Sequence, residues 1–245
     1  MTTPFLLAFA LLPHFARRPL AETPAPAQQP VSVVPVPRTD DGILSRQTEV
    51  LRRARETASA KVVFVGDSIT QGWEGEGARV WKEALEPLGA LDLGVSGDRT
   101  EHVLWRLAQA PLTRLHPRAI VLMIGTNNLG HGSSDATQTL LGVQRVVAVL
   151  REQCPEARIL VLDIFPRGER FNPMRGDIAQ INQVLARLDD GQKVRCLRVG
   201  DRFVEDDGSI RREIMPDFVH LTEAGYRIWA DAILPHLRDA LAEKR

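Results

Sequence analysis

Five short apolar runs punctuate the chain: Lys61–Val65 (KVVFV), Ala90–Leu93, Ala119–Ile124 (AIVLMI), Arg158–Phe165 (RILVLDIF) and Val194–Val199. Continuous apolar runs of this length suit strands of a parallel sheet covered on both faces. Amphipathic stretches lie between them, predicting helices near 45–59, 79–86, 100–109, 135–153 and 174–189. A last helix is expected over about 223–243, with Thr222 supplying the N-cap oxygen for its free first-turn amides. Strands alternating with helices through right-handed crossovers predict an α/β fold, a three-layer α/β/α sandwich around a five-stranded, mainly parallel sheet.

The first forty residues break this pattern. Residues 1–21 contain no acidic residue and carry one apolar run, Phe5–Leu12. Such a run is too short to cross a bilayer, which needs about 20 apolar residues, so no transmembrane anchor is expected. It suits the apolar region of a secretory signal, with Ala21, Ala25 and Ala27 as small residues for processing. No Lys or Arg precedes it, while Arg17 and Arg18 follow. The segment therefore reads either as a signal peptide, placing the protein in the periplasm or outside the cell, or as a disordered leader of a cytoplasmic protein. Residues 22–39 are rich in proline, which fixes φ and cannot donate to a ladder, and they read as an extended tether. The folded domain is expected over 40–245.

Composition narrows the partners. The 245 residues carry 31 basic and 31 acidic side chains, so formal net charge is zero. That balance lacks the basic excess of a nucleic-acid or anionic-membrane binder. Cys154 and Cys196 form no disulfide framework and no zinc-ligand spacing, and both read as buried small side chains.

In open parallel sheets, ligands bind beyond the carboxyl ends of the strands, so the residues there carry the candidate chemistry. The first strand runs into Gly66-Asp67-Ser68-Ile69-Thr70, which taken alone is either an ordinary turn or one that exposes a serine hydroxyl beside the free amides of a helix start. Gly94, after the second strand, either serves a plain βα turn or lets a backbone N–H approach a ligand unobstructed. Gly125-Thr126-Asn127-Asn128 follows the third strand, where an asparagine amide is either an oxyanion donor or a loop cap. Asp217-Phe218-Val219-His220 stands before the final helix, at a spacing that lets the carboxylate reach the imidazole and stabilise its protonated form. Together these positions supply a nucleophile, oxyanion donors, a base and its orienter, the set needed for acyl transfer.

The blocks GDSIT, LGVSGD, GTNN and DFVH resemble the SGNH (GDSL) hydrolase superfamily. The segments GDRTEHVLWRL (97–107), VLMIGTNN (121–128), FPRGERFNPMR (165–175) and MPDFVHLTEAGY (215–226) resemble more closely the catalytic subunits of platelet-activating-factor acetylhydrolase and their bacterial esterase relatives. The likeness spans about residues 40–240 and implies a flavodoxin-like sandwich. It also implies a serine esterase with Ser68 as nucleophile, His220 as general base and acid, and Asp217 as its orienter. The implied oxyanion hole combines the Ser68 and Gly94 N–H groups with the Asn127 amide. Asn128 departs from the broad superfamily, where many members have Asp, but matches the acetylhydrolase branch. The animal subunits pair as dimers, which extends to this chain by analogy a homodimer.

The expected reaction is hydrolysis of short acyl esters, chiefly acetyl, on a small-molecule or saccharide substrate, without metal or organic cofactor. Ile69, Phe218 and Val219 flank the expected catalytic residues and either narrow the acyl pocket or pack in the core. A carbohydrate O-acetyl ester suits an exported enzyme, and a lipid acetyl ester suits the named relatives. A longer-chain lipase or thioesterase would use the same triad. A metal-dependent phosphoesterase would need more clustered His and Asp ligands, and a non-catalytic binding module would not need complete catalytic blocks.

Overall fold

The computed structural model describes residues 29–243. The leader, residues 1–21, and the start of the proline-rich segment lie outside them. Strands β1 (Val62–Gly66), β2 (Ala90–Asp92), β3 (Ala119–Met123), β4 (Arg158–Leu162) and β5 (Val194–Leu197) form one sheet. Its order is β2-β1-β3-β4-β5 and every pairing is parallel. The long helices are α1 (Asp41–Glu56), α2 (Thr100–Gln109), α3 (Ala136–Gln153), α4 (Pro173–Leu185) and α5 (Glu223–Ala242). This is the α/β/α sandwich that the apolar runs predict.

Because successive strand side chains point to opposite faces, each continuous apolar run serves two cores. Val63 and Val65 of β1, Ile120 and Leu122 of β3, and Ile159 and Val161 of β4 face the helices α1 to α4. Val62, Phe64, Val121, Met123, Leu160 and Leu162 face α5 and the segment around Trp81. The second core is aromatic: Trp73 lies 4.5 Å from the Tyr226 ring and 4.9 Å from Trp229.

Three local expectations change. The helix expected near 79–86 is a single widened π turn, Trp81–Leu85, entered through Ala78–Val80. The fourth strand stops at Leu162 rather than Phe165, because side chains take over its ladder. Asp163 Oδ1 accepts the Val199 and Gly200 N–H groups, and the Asn182 amide brackets Ile164 N–H and C=O at 2.8 and 2.9 Å.

The third change concerns the tether. Its described part, Pro30 to Arg38, is a strap docked on α2 and α3. Ser32 is fully buried, its hydroxyl donating to Gln138 O at 2.6 Å and its carbonyl accepting from Thr100 Oγ1 at 2.8 Å. Val36 N–H donates to Glu101 O at 3.2 Å. Proline removes N–H donors from this strap, Val33 and Val34 N–H donate within it, and Ser32 and Val36 bond to the domain surface. Among the described residues, no helix is long and apolar enough to cross a membrane.

Candidate active site

The site forms at the carboxyl end of β1, where Gly66 passes into a helical turn, Ser68–Gln71. Asp67 caps that turn, its Oδ1 accepting the Ile69 N–H at 3.0 Å. Its other oxygen is buried without a partner among the described residues, and burial pushes the carboxyl up to about 7. Tyr226 of α5 donates its hydroxyl to Ile69 O at 2.7 Å and so fastens the serine turn to the last helix.

The turn before α5 brings His220 to Ser68. Asp217 Oδ1 accepts the backbone N–H groups of Val219 and His220 at 3.0 and 2.7 Å. This side-chain-to-backbone turn curls the chain so that Oδ2 meets His220 Nδ1 at 2.6 Å. Phe218 reaches positive φ, +60°, within that curl. Its carbonyl is held by Gly168 N–H at 2.9 Å and its ring by the Arg212 guanidinium at 4.5 Å. Burial opposes ionisation of Asp217, yet the hydrogen bonds from His220 and Val219 hold its carboxyl below the usual carboxylate range. An ionised Oδ2 only accepts, so Nδ1 carries the proton and Nε2 is left as an acceptor. Ser68 Oγ lies 2.9 Å from that Nε2. The line from carboxylate through imidazole to hydroxyl is continuous, and it is the geometry that lets a serine lose its proton on attack.

Neighbouring loops carry donors with a hydrogen to spare. Ser68 N–H, first in its turn, has no partner among the described residues. Asn127 is buried at the start of the turn Thr126–Gly130, and its Nδ2 donates to Asp98 O at 3.0 Å. A carboxamide carries two N–H bonds, so one remains for a ligand. Asn128, fully buried, does the capping instead: its Oδ1 accepts Thr100 N–H at 3.0 Å at the start of α2.

Gly94 departs from its expected place in the oxyanion hole. Its N–H donates to Asp92 Oδ1 at 2.7 Å within a buried pocket. A Cβ there would stand 2.8 Å from the Thr70 backbone carbon, so glycine is needed to let the β2 loop pass beneath the serine turn. The free amide is Gly97, three residues on, whose N–H has no partner among the described residues. It precedes Asp98, whose carbonyl orients Asn127. The first glycine of LGVSGD follows the strand directly, which is why it is the one expected; the second is set apart by the aspartate that follows it, which the structure buries.

Of the two places open to Ile69, the structure shows the core. Its side chain is buried in the aromatic core and does not line an open crevice. Phe218 and Val219 are half-buried at the edge of that core, beside His220. His220 and Asp217 keep 48% and 54% of their side-chain surface exposed, so the site is open on the side of the Asp217–His220 turn. Arg167, which residue chemistry alone did not single out, donates from Nη1 to Thr126 O at 3.2 Å and ties the β4–α4 loop to the Asn127 turn.

Residues 64–228, spanning all four blocks, match the GDSL-like Lipase/Acylhydrolase family model. The chain belongs to this family. The human platelet-activating factor acetylhydrolase IB subunit alpha1 is 38% identical over 167 residues, covering 68% of this chain and 70% of the subunit. Among solved structures, a GDSL-like lipase from Bacteroides thetaiotaomicron superposes with a TM-score of 0.64 at 21% identity, over 79% of this chain and 99% of the other. An acetylxylan esterase from Geobacillus stearothermophilus gives 0.58 at 17% identity, over 74% and 95% of the two chains. These two similarities show the shared fold. As a GDSL-family protein the chain is a serine-type carboxylic ester hydrolase.

Proposed function

We propose that this hydrolase removes short acyl groups, chiefly acetyl, from esters with bulky alcohol parts, through an acyl-enzyme on Ser68. The observation that carries the reading is the unbroken contact line Asp217–His220–Ser68, at 2.6 and 2.9 Å. His220 takes the hydroxyl proton as Ser68 attacks the ester carbonyl, and it then protonates the departing alcohol. Water repeats the sequence on the acyl-enzyme to release the acid. The Ser68 N–H, the free hydrogen of Asn127 Nδ2 and the Gly97 N–H hold the charge on the carbonyl oxygen.

Three observations support the acyl and alcohol preferences. The names of two of the similar proteins, an acetylhydrolase subunit and an acetylxylan esterase, both specify acetyl. The half-exposed His220 and Asp217 leave room on the alcohol side for a sugar or lipid headgroup. Half-buried Phe218 and Val219 adjoin His220 in the chain and offer apolar surface that suits a small acyl group. Ser68→Ala should lower turnover of a chromogenic acetyl ester by several orders of magnitude and end labelling by a fluorophosphonate. Rates should fall from acetyl to butyryl to octanoyl esters, and a maximum at octanoyl would refute the short-acyl reading. A screen of acetylated xylo-oligosaccharides against acetylated phospholipids then identifies the alcohol.

A further inference from the structure

Gly97 sits in a tight turn whose orientation is set from outside the family-matched region. Asp98 N–H donates to Val95 O at 3.1 Å, closing a four-residue turn in which Gly97 has φ +73° and Ser96 a negative φ. These are the marks of a type II turn. Types I and II differ by rotation of the central peptide, here Ser96–Gly97, about its flanking bonds. That peptide is planar and trans, so its C=O and N–H point in opposite directions. Whatever grips the Ser96 carbonyl therefore decides where the Gly97 N–H points.

The grip comes from the strap. Arg38 Nη1 donates to Ser96 O at 2.9 Å and reaches Asp98 Oδ1 at 3.3 Å. Its own position is fixed by Asp40, which accepts from Nε at 2.8 Å and pairs with Nη2. The Arg38 backbone N–H donates to Gln47 Oε1 of α1 at 3.3 Å, and the side chain is only 12% exposed. Gln71, at the end of the serine turn, holds the other side of the loop by accepting Ser96 N–H at 2.8 Å. Arg106 pairs with the buried carboxylate of Asp98 from below.

We infer that Arg38 is a positioning residue for ester hydrolysis: through the Ser96 carbonyl it locks the central peptide of the turn, so that Gly97 N–H faces the oxyanion. The inference rests on the proposed function, in which Gly97 is an oxyanion donor. A guanidinium on the carbonyl also polarises the peptide and strengthens the N–H at its far end. The strap is thereby part of the catalytic unit, although it precedes the family match at residue 64. Without Arg38 the peptide is free to rotate toward the type I arrangement, and one donor leaves the hole for part of the time.

The test is steady-state hydrolysis of 4-nitrophenyl acetate by the full chain, comparing wild type, Arg38→Ala, Arg38→Gln and Ser68→Ala. The glutamine is too short to reach Ser96 O but keeps a polar side chain under the strap, and it carries the test where the alanine variant does not fold. Both Arg38 variants should lose about tenfold to a hundredfold in kcat, less than the roughly hundred- to thousandfold loss on deleting a donor outright. KM should stay within about twofold, because the ground-state ester does not depend on the donor as the oxyanion does. Wild-type kcat in a folded Arg38 variant, or a loss confined to KM, overturns the inference. Ser68→Ala separates the two levels: activity retained there sinks the hydrolytic reading itself, while an inactive Ser68→Ala beside a fully active Arg38 variant sinks only the role of Arg38.

Discussion

Replacing Asp217 by asparagine is the sharpest probe of the proton path, because the structure dictates how the new amide must sit. Asp217 Oδ1 accepts two backbone N–H groups, from Val219 and His220. An asparagine can satisfy both only with its oxygen at that position, which turns its NH2 toward His220 Nδ1. Two donors cannot face each other, so the imidazole moves its proton to Nε2 and no longer accepts from Ser68 Oγ. The fold loses little, since both backbone bonds survive and the residue is half-exposed. The base is lost in the resting state, and inversion of this kind costs about 10⁴ in kcat, or about 5.4 kcal/mol in the barrier. The assay is turnover of an acetyl ester alongside the rate of fluorophosphonate labelling, with thermal melting to confirm folding. Both rates should fall together. A folded Asp217→Asn protein with kcat within tenfold of wild type would refute the tautomer reasoning and the proton path built on it.

Asn127→Ala should lower kcat by about a hundred- to a thousandfold while KM changes little, as for removal of one oxyanion donor, and steady-state kinetics checks it. Gly94→Ala should act on stability, since its Cβ would press on the Thr70 backbone; a loss of about 1–3 kcal/mol by denaturant unfolding is expected. Asp67→Asn tests the buried carboxyl. Its folded pKa of about 7 lies above the usual 3.9, so between those values the folded chain binds more protons than the unfolded one. Stability then falls as pH rises through this window, and Asp67→Asn, which still accepts the Ile69 N–H, should flatten that part of the melting-temperature curve against pH.

Local chemistry made the reactive core readable in the linear chain. The Asp-x-x-His spacing closes on itself through two hydrogen bonds from its own backbone, so it needs no distant partner to adopt its shape. The serine turn is likewise capped by the residue before it. Continuous apolar runs declared both faces of the sheet buried, which made the strands parallel and put their carboxyl ends on one side. Ladder ends were less legible: β4 stops early because Asp163 and Asn182 reach it from afar in the sequence, and no pattern within RILVLDIF announces them.

The sequence by itself thus determined the strands, the serine turn and the Asp217–His220 pair, because each takes its shape from residues within a few positions of one another. The first glycine of LGVSGD gives its amide to Asp92 two positions before it, whereas the turn of the second is held from afar by Arg38 and Gln71, which only the tertiary structure decided. It alone turned Ile69 into the aromatic core and laid the proline-rich strap against α2 and α3. And it alone brought Arg38 to a carbonyl 58 positions away, a contact set by how the layers pack and recorded in no local pattern of residues.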